Sequence, residues 1–225
     1  MMMVRFILGS QSPRRRALLQ LLGFPFEVMV ADVDETLVAD ADPAVDAMLT
    51  AQLKARAIRG MLGEGRYDGE TLLLTADTAV SIDQHILGKP VDTNDAWQML
   101  RALRGRAHQV HTGFTLVNLA TGQEVTDVHT AVVTMRDYSD DEIAAYIATG
   151  DPLDKAGAYG VQHPEFRPAS QINGCFTGVM GLSVCQLLQT LAQWDILVPV
   201  TSAITQAHHE YPCPLLAAYA ASREA

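Results

Sequence analysis

The chain has 225 residues, of which 48% are hydrophobic and 19% charged. That is the composition of one large globular domain and excludes a disordered segment; at this length roughly 70–75% of the unfolded surface leaves water, so no disulfide or metal staple is required. A net charge of -10 excludes a general nucleic-acid or anionic-membrane binder, because both tasks need a basic surface.

In chain order, Val4–Leu8 is expected as a short apolar strand. Ser12 caps a helix whose first position is Pro13 and which Gly23 closes. Phe26–Ala31 is a second strand, and Asp32 to Asp42 an acidic loop. Asp42-Pro43 opens a long helix to about Met61. Thr71–Thr75 is an apolar strand ending at Ala76-Asp77, Ala79–Ile82 continues it, and Thr93 caps a helix to Leu103. Gln109–Val117 and Val125–Met135 flank a turn and form a long hairpin. Ser139 and Glu142 form a capping box before a helix that ends at Gly150. Gly178–Val184 is expected as a final strand and Cys185–Trp194 as a final helix. The longest uncharged stretch, Pro168 to Trp194, scatters too many amides for a membrane span. The pattern predicts an α/β (α+β) fold with a mixed sheet: residues 1–198 form one domain and residues 199–225 a peripheral tail.

The three cysteines, Cys175, Cys185 and Cys213, have no CxxC spacing. This spacing excludes a zinc knuckle or thioredoxin-like motif and points to a reducing compartment. Met1 to Val4 leads directly into Arg5 and a strand, so no signal peptide is expected and the location is cytoplasmic.

Several polar groups stand where strands end, the place where open α/β sheets bind ligands. Ser10, Ser12, Pro13, Arg14 and Arg15 follow the first strand, where a helix N-terminus with guanidinium groups makes an anion site. An ordinary N-cap with a solvated basic turn accounts for the same residues. Asp77 at the tip of a strand is either a partly desolvated functional carboxylate or a cap for Thr78 and Ala79. Asp34 and Glu35 are either hard-oxygen ligands for Mg²⁺ or Mn²⁺ or a solvated acidic loop. Only three of the 16 basic residues are lysines: Lys54, Lys89 and Lys155. Taken locally, Lys54 is an exposed helical residue and Lys89 part of a surface turn. Gln162 offers both a donor and an acceptor, as recognition of a base edge needs.

Together these pieces resemble the Maf family of nucleoside triphosphate pyrophosphatases. The matching runs are Ser10-Gln11-Ser12-Pro13-Arg14-Arg15, Asp34-Glu35, Lys54-Ala55, Ala76-Asp77-Thr78, Gly88-Lys89-Pro90-Val91-Asp92 and Asp154 through Gln162. Ile172-Asn173-Gly174 and Val179 to Leu182 resemble the family's closing strand. All three lysines fall on matched positions. The resemblance implies an elongated two-lobed fold with a central cleft, often a homodimer. It implies metal-dependent hydrolysis of a nucleoside triphosphate between the α and β phosphates, with no nucleic-acid polymer or membrane as partner. By the same resemblance Asp77 is the proton acceptor, and Glu35 and Asp77 hold a Mg²⁺ or Mn²⁺ ion. Ser10, Arg14, Arg15, Lys54, Lys89 and Lys155 hold the triphosphate, with Lys54 and Lys89 serving catalysis; Arg15, Thr78 and Gln162 select the base. The Ala158-Tyr159-Gly160-Val161-Gln162 run is similar to the branch acting on dTTP and UTP. The role would be removal of non-standard or excess nucleotides. The alternatives are a nucleotide-binding regulator of septum formation and a pyrophosphatase for modified purine nucleotides. One segment departs from the family: His163-Pro164-Glu165-Phe166-Arg167-Pro168 replaces a glycine-rich stretch.

Overall fold

The computed structural model describes residues 4–34, 42–63, 67, 71–209 and 211–224. Among these residues one mixed sheet of seven strands forms the spine. Its order is β2 (Phe26–Val28), β1 (Arg5–Gly9), β3 (Thr71–Ile82), β5 (Ala107–Asn118), β6 (Glu124–Met135) and β7 (Ala169–Asn173), with β4 (His85–Leu87) paired to β3. β1 runs parallel to β2 and β3, and the remaining pairings are antiparallel.

The alternation of side chains along each strand builds a core on either face. Phe6 and Leu8 of β1, Leu72 and Leu74 of β3, and Phe114 and Leu116 of β5 pack on one face. They meet α1 (Pro13–Gln20), α6 (Val184–Gln193) and α8 (Pro214–Glu224). Ile7, Leu73 and Val117 point the other way, against Ala55, Ile58 and Leu62 of α2 (Pro43–Leu62). A third cluster forms the second lobe. There Val80 and Ile82 at the far end of β3, with Val110 and Val133, pack against α3 (Thr93–Leu103) and α4 (Asp140–Ala148).

Three sequence expectations change. β3 does not end at Ala76-Asp77; it is one twelve-residue strand, because β5 pairs with it without a break from Leu72↔Asn118 to Ser81↔Gln109. The closing strand is β7, whereas the apolar run expected as a strand at Gly178–Val184 enters α6 through α5 (Phe176–Val179) and a turn. Asp92, not Thr93, caps α3, its Oδ1 accepting the Asp95 N–H at 2.8 Å.

The segment after Pro199, expected to be peripheral, folds as α7 (Ser202–Gln206) and α8. Ile204 and Tyr219 are buried in the first core, and the Tyr219 hydroxyl donates to the Val198 carbonyl at 2.7 Å. It also brings His208 and Cys213 to Cys175 and Cys185 in the interior, a convergence that the spacing along the chain does not show. Among the described residues no helix is long and apolar enough to cross a membrane.

Candidate active site

The neighbours of β3 leave a gap. β1 pairs with it only from Thr71 to Thr75, and β4 resumes on the same side at Val80. Between them Ala76–Ala79 have no strand partner on that edge among the described residues. The loop from β1 into α1, the turn after β4, and the 3-10 turns Asp151–Asp154 and Ala156–Ala158 surround the gap. They enclose a cleft of about 940 Å³. Its volume is in the range of small-molecule sites, roughly 300–1,000 Å³.

Ser10, Arg14, Arg15, Lys54, Asp77, Thr78, Lys89, Lys155 and Gln162 all line this cleft. Glu35, and with it the metal role expected there, lies outside the described residues. Asp77 is therefore mid-strand with respect to β5 but just beyond the end of β1, and the relevant strand end is that of β1.

The hydrogen bonds divide the cations into two kinds. Ser12 caps α1 by accepting the Arg15 N–H, which turns the β1–α1 loop toward the gap. The Arg15 guanidinium donates from Nε to the Gly181 carbonyl (2.8 Å), from Nη1 to Ser10 Oγ (3.3 Å) and from Nη2 to Thr78 Oγ1 (3.2 Å). Thr112 Oγ1 donates to the Gly178 carbonyl at 2.8 Å, so its contact with Thr78 Oγ1 at 3.0 Å is one it accepts. A directed chain thus runs from Arg15 through Thr78 and Thr112 to Gly178. Lys54, expected locally as an exposed helical residue, is mostly buried and donates to Asp77 Oδ1 at 2.7 Å.

Lys155 is 11% exposed and uses its three donors on the Asp151 carbonyl (2.6 Å), Asp151 Oδ1 (2.8 Å) and Asp154 Oδ1 (2.6 Å). Burial disfavours the charged form of Asp151, but hydrogen bonds from Lys155 and Tyr146 outweigh it and hold its carboxyl below the ordinary range. Arg14 and Lys89, by contrast, have no polar partner among the described residues.

Sequence reasoning missed Asp46 and Asp151, both in the cleft wall, and Thr112 behind Thr78. The four-residue spacing of Asp151 and Lys155 is an ion-pair signal that was available. Thr112 is visible only through the β3–β5 register. The departing segment after Gln162 folds back on the second lobe: Phe166 is buried and stacks on Tyr146 at 4.2 Å, while His163 and Pro164 edge the cleft. Gln162 is exposed, with Nε2 at 3.4 Å from His209 Nε2.

A family model described as Maf-like protein matches residues 5–194. Proteins named dTTP/UTP pyrophosphatase are among the relatives. One from Bacillus cytotoxicus is 41% identical over 193 residues, covering 86% of this chain and 97% of its own length. One from Alkaliphilus oremlandii is 41% identical, covering 82% of this chain and 93% of its own. One from Salinibacter ruber is 41% identical, covering 88% and 95%.

Proposed function

The chain belongs to the Maf family, and on that premise we propose that it hydrolyses the α–β phosphoanhydride of dTTP and UTP to a nucleoside monophosphate and pyrophosphate. One observation carries this reading: Arg14, Arg15, Lys54, Lys89 and Lys155 share with Asp77 a cleft of nucleotide size.

A triphosphate is a polyanion, so its hydrolysis needs charge neutralisation and a positioned water more than covalent help. Arg14, in the first turn of α1, and Lys89 across the same cleft have no polar partner among the described residues and are placed to take the phosphates. Lys54 is shared: an incoming phosphate competes with Asp77 Oδ1 for its ammonium, which leaves that oxygen to face the attacking water. Asp77 then takes a proton from water as the water oxygen bonds to the α-phosphorus. The bond from that phosphorus to the bridging oxygen breaks, and pyrophosphate leaves with the electron pair. Arg15 and Thr78 already bond to protein, so in this scheme they shape the wall against the base rather than grip it. Gln162 offers the base edge a donor and an acceptor.

The donors suit a hard divalent cation, because Asp77 and Asp46 place carboxylates in the cleft wall. Asp77 with Glu35 would hold Mg²⁺ or Mn²⁺, whose chemical contribution is to neutralise phosphate oxygens.

The test is pyrophosphate release from dTTP, UTP, ITP and XTP with Mg²⁺ or Mn²⁺. Pyrimidine triphosphates should be turned over, and Asp77→Asn should lower kcat by about 10²–10⁴-fold at unchanged circular dichroism. No release from either pyrimidine nucleotide would overturn the activity; near wild-type release by Asp77→Asn would overturn the assignment of the base.

A further inference from the structure

Outside the residues that line the cleft, three cysteines and a histidine meet in the interior. We propose that Cys175, Cys185, His208 and Cys213 bind one structural Zn²⁺ ion, which clasps the C-terminal segment to the nucleotide-binding body. All four residues are buried, and their ligand atoms lie within 4.8 Å of one another. Cys185 Sγ is 3.1 Å and Cys175 Sγ 3.6 Å from His208 Nε2, and Cys185 Sγ is 3.5 Å from Cys213 Sγ. A tetrahedral zinc site with Zn–S near 2.3 Å and Zn–N near 2.0 Å has ligand–ligand edges of about 3.5–3.8 Å. The cluster is thus close to the size the ion requires. The three thiols are free, and 3.5 Å is far beyond the roughly 2.05 Å of a disulfide bond.

The histidine is set for the task. Its Nδ1 lies 2.8 Å from the Ile204 carbonyl, which only accepts, so Nδ1 carries the proton. In the neutral ring Nε2 then presents a lone pair to the sulfurs. A backbone carbonyl orienting the distal N–H is the usual support of a metal-bound imidazole. Thr177 supplies similar support on the other side. Its Oγ1 accepts the Val184 N–H at 3.0 Å, which leaves its own proton to donate to Cys175 Sγ, also at 3.0 Å.

The ligand set also fits zinc in charge and closure. Loading turns three thiols into thiolates, releases three protons and leaves a complex of net charge −1. Four protein ligands leave no open position, which marks a structural centre rather than a catalytic one. Two ligands, His208 and Cys213, come from beyond the span that the family model matches, and two come from within it. The ion would therefore join α7 and α8 to the family body.

The full-length chain, purified under reducing conditions after growth with zinc, should hold about one zinc per chain by plasma mass spectrometry. Replacement by Co²⁺ should produce a sulfur-to-cobalt charge-transfer band and the visible bands of a tetrahedral site. Cys213→Ser and His208→Ala should each lose at least about nine-tenths of the metal. Because either variant could unfold, the cobalt spectrum of the wild-type chain decides. Its absence would overturn the proposal, as would a Cys185–Cys213 disulfide in freshly purified protein. These readouts need no nucleotide, so they stand or fall apart from the hydrolase reading.

Discussion

Arg15 joins three segments of chain with one side chain: the β1–α1 loop at Ser10, mid-β3 at Thr78 and the turn at Gly181. Only a planar fork can serve all three acceptors, and an ammonium on a shorter reach cannot. Arg15→Lys should therefore lower stability by about 1–3 kcal/mol in urea unfolding. It should also raise KM for the nucleotide, because the wall it braces lines the cleft. The scarcity of lysine led from the sequence to this cleft: Lys54, Lys89 and Lys155 come from three distant segments and converge there. What composition could not reveal is which cations are already neutralised. The Gly181 carbonyl that engages Arg15 lies 166 residues away. Asp154, which shares Lys155 with Asp151, is 74% exposed and reads as an ordinary surface acid.

Between elements, α2 comes backbone-close to the sheet. A Cβ on Gly113 of β5 would overlap the backbone carbonyl of Ala47 and come within 2.7 Å of the Met48 nitrogen. Backbone atoms cannot rotate aside as a side chain can, so Gly113→Ala should cost about 2–4 kcal/mol, measured by chemical denaturation. As α2 also carries Lys54, the variant should lose activity beyond what its folded fraction explains. Elements bounded by local chemistry were legible in the sequence. The Asp42 cap with Pro43 starts α2, and Ser139 with Glu142 forms the full capping box of α4. Elements whose limits depend on partners were not. Nothing local tells β3 to run through Asp77, since its continuity comes from β5. The run from Gly178 is apolar enough for a strand, but a helical turn, with Thr177 Oγ1 accepting the Val184 N–H, routes it to α6 instead. The cysteine spacing likewise did not show this cluster, because the four groups come from segments distant in the chain.

For the molecule as a whole, pH is a probe of the second lobe. Burial drives His108 from 6.5 to about 4. Its Nε2 meets the Tyr159 hydroxyl at 2.7 Å, whereas Nδ1 is buried without a partner among the described residues, so a protonated ring would strand an N–H. The folded state thus binds fewer protons than the unfolded state between these two values. The stability from a neutral His108 is complete above pH 6.5 and is lost as pH falls toward 4. The wild type should lose roughly 2–3 kcal/mol more than His108→Gln over that interval in parallel urea titrations. Equal slopes would show that His108 does not set the acid limit. The three longest strands, β3, β5 and β6, have twelve residues each, and β3 and β5 pass from one core to the other beneath the cleft. No flexible linker separates the halves along this floor. A guest that draws the walls inward must therefore do so by torsion of a continuous ladder, like wringing a strip of cloth rather than shutting a door.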